Sequence, residues 1–120
     1  MSASKGTNPD FLNGVPELIL LRLLARKPMY GYELVQSVKL QSHAALEFGE
    51  GCIYPILHRL ERAGLLTSQR EHVSGRSRVV YRLTPAGAQK LEESVSAWHR
   101  VVQAVRLILE GDSHVEPSHA

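Results

Sequence analysis

The sequence predicts a mainly α-helical domain that carries one small β-hairpin and ends in a long helix. Three observations lead to this fold class: three apolar helix-like segments come first, two strand-like segments flank the letters SGRS, and an apolar seven-residue repeat follows Pro85. With 120 residues, of which 43% are hydrophobic and 22% charged, the chain has the size and composition of a single folded domain.

The first two helices are expected in the segments VPELILLRLLARKP and YGYELVQSVKLQ. The first segment is apolar enough for a mostly buried helix. Pro16 suits its first turn, and Pro28 ends it because the residue before a proline avoids the α region. The second segment places Tyr30, Leu34 and Val38 on one side, which is a helical stripe. The two glycines of SHAALEFGEG then indicate a connecting segment.

The third helix is expected in GCIYPILHRLERAG. Because Pro55 is tolerated only in the first turn of a helix, this helix should begin near Gly51 or Cys52. It should end at Ala63 and Gly64, since glycine is favoured just past a helix end. Its buried stripe is predicted to consist of Ile53, Ile56, Leu57 and Leu60. The residues predicted to face solvent are Tyr54, His58, Arg59 and Arg62.

The hairpin is expected in LLTSQREHV and RVVYRLT, which form two antiparallel strands joined by SGRS. Val79, Tyr81 and Leu83 alternate with Val80 and Arg82, which is the period of a half-buried strand. The glycine of SGRS supplies a flexible or positive-φ position at the tip.

The last helix should begin after Thr84, with Thr84 as its N-cap and Pro85 as its first residue. It carries an apolar seam at steps of four and three residues, which is a heptad pattern held for nearly three repeats. A terminal helix with so broad an apolar face needs something to cover it. The seam consists of Leu91, Val95, Trp98, Val102, Val105 and Leu109.

Element order and charge together suggest a nucleic-acid-binding fold. Three helices followed by a hairpin is the layout of a winged helix-turn-helix, in which the third helix fits a major groove about 12 Å wide and the hairpin is the wing. The net charge is only +2, but residues 52–90 carry +5 and the remaining residues −3. Such a basic surface suits a polyanion, although many basic hairpins are simply solvated. We expect this domain at residues 11–84, the terminal helix at 85–110, and disordered polar tails at 1–10 and 111–120.

Three ordered sequence blocks carry a resemblance to a known family. These blocks resemble the signature blocks of PadR-type transcriptional regulators. They are YGYEL from residue 30, GCIYPILHRLERAGLL from residue 51 and GRSRVVYRLTPAGAQKL from residue 75. The resemblance covers residues 11–110 and points to the compact branch of that family, which has a single C-terminal dimerisation helix. One position departs from the pattern: Cys52 stands where the family usually has threonine, and cysteine is a poorer N-cap and phosphate donor.

The resemblance implies a homodimeric, sequence-specific DNA-binding repressor. Its C-terminal helices would pair through the seam residues and place two third helices in successive major grooves, about 34 to 36 Å apart, on an inverted-repeat operator. Because PadR-like repressors are commonly released by phenolic or other planar aromatic compounds, a small aromatic effector is expected at the dimer cleft.

Eight residues are candidate DNA contacts. Arg76 and Arg78 at the wing tip should reach phosphates or a minor groove. Tyr54, at the exposed start of the third helix, should hydrogen-bond a phosphate or pack on a base edge, although its ring could instead only support the hairpin. One of Tyr30 and Tyr32 is more typical of a core residue. The full candidate set is Tyr30, Cys52, Tyr54, His58, Arg59, Arg76, Arg78 and Arg82.

Trp98, which is the only tryptophan, is the candidate centre of the effector site, with Val95 and Val102 beside it. Large aromatic side chains suit sites for flat ligands because they supply contact area at a small entropic cost. The alternative is that Trp98 is simply a core residue of the dimer interface.

Other classes of protein are less consistent with the sequence. It lacks G-x-S-x-G, a P-loop and a dinucleotide-binding glycine turn, so enzyme activity is not expected. Six histidines and one cysteine show no metal-ligand spacing, and neither a metal nor a cofactor is expected. The lone cysteine and the lack of an apolar signal or membrane-spanning run favour a cytoplasmic protein. The remaining alternative is a winged-helix module for protein–protein contact without an effector, for which an uncharged wing would be typical.

Overall fold

A computed structural model of the chain describes the backbone of residues 8–119 and the side chains of residues 14–111. The helices are α1 (Asn8–Arg26), α2 (Gly31–Gln41), α3 (Glu50–Arg62) and α4 (Pro85–His119), and the strands are β1 (Met29–Tyr30), β2 (Leu66–Val73) and β3 (Arg76–Leu83). The predicted order of three helices, a hairpin and a long terminal helix is confirmed.

The sheet has three strands in the order β1-β3-β2, so the prediction of a two-stranded sheet was incomplete. Met29 pairs with Tyr81 and Tyr30 with Val80, which makes β3 the central strand. A strand of two residues is too short to show an alternating pattern in the sequence. Such a strand forms only because it pairs with a distant segment of the chain. The predicted second helix therefore begins one residue later than expected, at Gly31.

The hairpin turn is tighter than SGRS suggested. Val73 pairs directly with Arg76, which leaves a two-residue loop of Ser74 and Gly75. Both loop residues have positive φ, 53° and 78°, as a type I′ turn requires. Arg76 thus belongs to β3 and lies beside the turn.

The core lies where α1, α2 and α3 pack against one face of the sheet. The predicted buried stripe of α3 is confirmed, and Tyr81 of β3 faces the same core with only 3% of its surface exposed. Burial, then the nearby Glu61 carboxylate, raises the pKa of the Tyr81 phenol above its usual value, so it stays protonated. The largest fully buried side chains among residues 14–111 are Leu20, Leu21, Leu34, Ile53, Leu57, Leu60 and Leu66.

Helix α3 begins earlier than predicted, at Glu50, with Gly49 as its N-cap. The expectation that Pro55 must lie in the first turn was wrong, because Pro55 lies in the second turn. A proline there leaves the carbonyl of Gly51 without its usual helical donor. Gly51 and Pro55 are both exposed, so water can bond to that carbonyl.

Helix α4 is capped as predicted. The hydroxyl of Thr84 accepts the backbone N–H of Gly87 at 3.0 Å and donates to the carbonyl of Gly64 at 2.8 Å. One side chain therefore caps α4 and ties its start to the end of α3.

The predicted limits of the tails differ from the structure. Residues 8–10 belong to α1, and α4 continues through residue 119 instead of ending near 110. Polar composition suggested a tail, but an α-helix satisfies its own backbone hydrogen bonds and does not require apolar side chains. The rest of the predicted N-terminal tail, residues 1–7, lies outside the described residues. At about 1.5 Å per residue, α4 is about 52 Å long, which explains extents of 69 × 33 × 23 Å.

Candidate nucleic-acid interface

The outer face of α3 presents polar side chains to solvent, as the sequence predicted. Cys52, His58 and Arg62 are exposed, and Tyr54 is half-buried. Cys52 is the third residue of the helix and not its N-cap, and its backbone N–H donates to the carbonyl of Gly49 at 3.0 Å. The sequence-based concern about Cys52 as a poor N-cap was therefore wrong, because the helix starts two residues before it.

Tyr54 packs against the start of α2. Gly31 is buried there, and a Cβ added to it would collide with the phenol ring of Tyr54. The ring also lies 6.2 Å from the ring of His58, at a tilted angle of 41°. The supporting role considered for Tyr54 therefore involves α2, and the lack of a side chain at Gly31 sets how closely α2 and α3 approach.

Arg59 has a partner that the sequence did not suggest. Its Nη2 lies 2.9 Å from Oε2 of Glu17 on α1. Arg59 and His58 are both exposed, as predicted, but successive helical residues differ by about 100° in direction, and Arg59 turns towards α1. The α3 surface near Arg59 is thus partly neutralised, with 50% of the arginine side chain and 24% of the glutamate side chain exposed.

The three candidate arginines of the wing have three different environments. Arg82 Nη1 lies 2.6 Å from Oε2 of Glu71, which compensates its charge. Arg76 is exposed beside the turn. Arg78 places its guanidinium carbon 4.7 Å from the ring centroid of Tyr30, within the range of a cation–π contact. Its Nε is buried and, among the described residues, has no hydrogen-bond partner.

Tyr30 is half-buried at the junction of β1 and α2. Its backbone N–H donates to Oε1 of Glu33 at 3.3 Å, and Oε2 of the same carboxylate binds Nζ of Lys27 at 3.3 Å. Tyr30 also pairs with Val80 in the sheet. Tyr30 is therefore the N-cap of α2, and its ring lies beneath Arg78 of the wing. Tyr32, by contrast, is exposed.

The apolar seam of α4 changes from buried to exposed along the helix. Leu91 is only 6% exposed and belongs to the core of its own subunit, and Val95 packs against that core. Leu91 is thus largely covered by α1 and β3 within its own subunit, and its part in dimerisation stays a prediction. Farther along, Val105 is 47% and Leu109 73% exposed.

A shallow groove of 430 Å³ follows the distal part of α4. It includes the predicted effector residues Trp98 and Val102 but not Val95. The residues that line it are Trp98, Val101, Val102, Val105, Arg106, Leu109 and Glu110. Arg106 and Glu110 form an ion pair at 3.9 Å along one edge, so the groove is apolar with a charged border.

Sequence reasoning missed the partners of the candidate residues. Three glutamates contact candidate residues, and none of them was identified from the sequence. Glu17 binds Arg59, Glu33 accepts the backbone N–H of Tyr30, and Glu71 binds Arg82. No spacing rule could identify Glu17, which lies 42 positions from Arg59. Glu33 could have been noticed, because it follows the N-cap Tyr30 by three residues, which is the spacing of a capping box.

Two further properties concern only the described part of the chain. It contains no group of three or more side chains of the types that bind metals. None of its helices combines the length and the hydrophobicity needed to span a bilayer.

Comparison with known proteins identifies a consistent set of relatives. A family model described as the transcriptional regulator PadR-like family matches residues 20–93. A transcriptional regulator of Mycobacterium tuberculosis is 37% identical over 105 residues, covering 88% of this chain and 92% of that protein. A PadR family transcriptional regulator from Eggerthella lenta has a similar structure, with a TM-score of 0.68, 35% identity and coverage of 82% of this chain and 86% of the other. A PadR-like transcriptional regulator from Bacillus cereus has a TM-score of 0.71 at 27% identity and covers 86% of this chain and 98% of the other.

Proposed function

The chain belongs to the PadR-like family of transcriptional regulators, and we propose that it is a repressor that binds an inverted-repeat operator as a homodimer and is released by a small aromatic effector. Membership establishes a DNA-binding regulator with a winged-helix fold, and proteins of this family are not enzymes. Repression, the operator, the dimer and the effector are the parts that we propose.

The main support for a DNA-binding surface on α3 and the wing comes from arginines that have no acidic partner. Arg62 on α3 and Arg76 and Arg78 on the wing form no ion pair with any described residue, whereas Arg59 and Arg82 do. Uncompensated cations on the third helix and the wing are what a phosphate backbone would neutralise on binding. We therefore assign phosphate contact first to Arg62, Arg76 and Arg78.

The exposed end of α4 supports the proposed homodimer. Leu107, Ile108 and Leu109 are 62%, 75% and 73% exposed, which is a large apolar surface for a lone subunit in water. The heptad spacing of Trp98, Val102, Val105 and Leu109 is suited to pairing with an identical helix. Such pairing would cover this surface and set the separation of the two α3 helices at about one DNA turn, 34 to 36 Å.

The groove beside Trp98 supports the proposed effector site. An apolar groove with an aromatic side chain and a charged edge suits a flat ring that bears one polar substituent. If two α4 helices pair, the two grooves would lie at or near the interface. A ligand there would act by binding one spacing of the α3 helices better than another.

The proposal is tested by DNase footprinting on the DNA upstream of the gene, together with light scattering on the free protein. We expect protection of an inverted repeat and a dimer mass. A dimer that protects no DNA would instead favour a protein–protein interaction module. A single subunit that binds its operator at full strength would refute the dimeric mechanism.

The effector is tested separately, by titrating phenolic and other planar aromatic compounds while recording Trp98 fluorescence and operator release. We expect at least one compound to change both signals. If a broad panel changes neither, the effector part of the proposal is refuted and the DNA-binding part stands.

A further inference from the structure

We propose that Tyr30 does not contact DNA itself but positions Arg78, so that Arg78 presents a pre-oriented guanidinium to a DNA phosphate. The inference rests on the proposed function, because it assumes an operator complex, and it assigns different roles to two residues that the sequence grouped together. Tyr30 is the positioning residue and Arg78 the phosphate ligand.

The choice of partners within the sheet separates Arg78 from Arg82. Alternation along β3 places Arg78, Val80 and Arg82 on the same face. Glu71 lies opposite Arg78 in the register, yet its carboxylate binds Arg82. Arg82 is thereby neutralised, and the side chain that lies against Arg78 is the uncharged ring of Tyr30.

Tyr30 is tied into the helix-turn-helix through its backbone. Its backbone belongs to β1, pairs with Val80 and donates to Glu33, and the next residue is already in α2. Arg78 lies near the end of a hairpin that only a two-residue turn closes. Because one partner is fixed by the helix-turn-helix and the other is on the wing, the stacking contact orients the arginine. It also couples the position of the wing to α2.

The contact of Arg78 with the Tyr30 ring is compatible with phosphate binding. Stacking uses the planar face of the group, whereas a phosphate binds in its plane through N–H donors. The buried, unpartnered Nε shows that the group has already lost part of its hydration. A desolvated cation gains more from an anion than a solvated one, and an already ordered side chain loses less entropy when the anion binds.

The test measures operator affinity by fluorescence anisotropy across a salt series. Neutralising one phosphate contributes about −0.9 to the slope of log K against log salt, so R78A in a dimer should flatten the slope by about 1.8. We expect Y30L to weaken binding and flatten the slope like R78A, and Y30F to bind like the wild type because it keeps the ring. In the R78A background, Y30L should cause no further loss.

The matched control for charge is R100A. Arg100 is an exposed arginine on α4, away from the wing, and its removal lowers the net charge by the same amount. We expect R100A to leave the slope unchanged. A slope that falls equally for R100A and R78A would show a general charge effect and would overturn the proposal.

Other outcomes separate this inference from the proposed function. The inference is wrong if Y30F weakens operator binding as strongly as Y30L, both in the wild type and in the R78A background. That result would show that the Tyr30 hydroxyl contacts DNA directly. If R78A binds with unchanged salt dependence, Arg78 is not a phosphate ligand. If the wild type binds no operator, the proposed function itself fails.

If Y30L does not fold, as thermal melting would reveal, Y30F and R78K decide the question. Lysine keeps the charge of arginine but lacks its planar face, so we expect R78K to bind more weakly than Y30F. Equal affinity of R78K and the wild type would overturn the role of stacking.

Discussion

Gly31 is the position where one added methyl group would test how α2 and α3 pack. A Cβ on Gly31 would lie 2.7 Å from Cε1 of Tyr54, and closer still to Cζ and the hydroxyl oxygen. Since carbon atoms prefer separations of about 3.5 to 4.0 Å, the ring must move by about 1 Å or more. Tyr54 packs against the core, so a shift of its ring would disturb the packing of α2 against α3. Overpacking of this kind costs about 1–3 kcal/mol, and we expect Gly31→Ala to lower the free energy of unfolding by that amount.

The sign of the effect should reverse when the tyrosine is shortened. Gly31 does not have a positive φ, so alanine is not strained there, and in a helix alanine is favoured over glycine by up to about 1 kcal/mol. In a Tyr54→Leu background, Gly31→Ala should therefore be neutral or stabilising. The matched control is Gly51→Ala in the first turn of α3, where an added Cβ would meet nothing within 4 Å. We expect this control to be neutral or stabilising in the wild type.

The assay is urea unfolding of the four proteins of this double-mutant cycle, followed by circular dichroism at one fixed protein concentration. A fixed concentration matters because dimer dissociation would otherwise add to the unfolding free energy. The reasoning is refuted if Gly31→Ala has the same effect with and without the Tyr54 ring, or if it does not destabilise the wild type.

Three other predictions concern the helix cap, the α1–α3 ion pair and the terminal helix. Thr84→Ala should lower the free energy of unfolding by about 1 kcal/mol because it removes the N-cap of α4, and an unchanged urea midpoint would contradict this. Glu17→Gln should cost less than about 1 kcal/mol of stability and, if Arg59 can reach DNA, raise operator affinity up to about fivefold. Anisotropy measures this, and unchanged affinity would place Arg59 outside the interface. Leu109→Asp should give a monomer by light scattering, whereas Leu40→Asp on α2, where the leucine is as exposed, should not; identical masses for both variants would contradict the dimer surface.

The segment YGYEL shows how a recognised motif acquires a physical explanation. Each of its first two residues serves a different neighbour: Tyr30 lies beneath Arg78 of the wing, and Gly31 makes room for Tyr54 of α3. Glu33 caps the same junction from within the helix. The motif therefore marks the point where α2, α3 and the wing meet.

The position of Pro55 and the burial of Leu91 show where local rules reached their limit. Pro55 was expected to mark the first turn of α3, but an exposed carbonyl can bond to water and tolerates the proline one turn later. Leu91 follows the heptad as well as Leu109 does, yet only Leu109 is exposed. Periodicity shows which residues share a face, and it does not show which neighbour covers that face.

The sequence by itself determined the order of the elements, the capped start of α4 and the apolar stripes. These features depend on residues within about four positions of each other, or on turn residues with few permitted conformations. Tertiary structure alone decided that Tyr30 belongs to a strand and that its ring lies beneath Arg78. It also decided that Glu71 binds Arg82 and that Glu17 binds Arg59. An arginine can pair with any carboxylate or ring that the fold brings within reach. Which arginines remain available for DNA is therefore settled only when distant segments pack together.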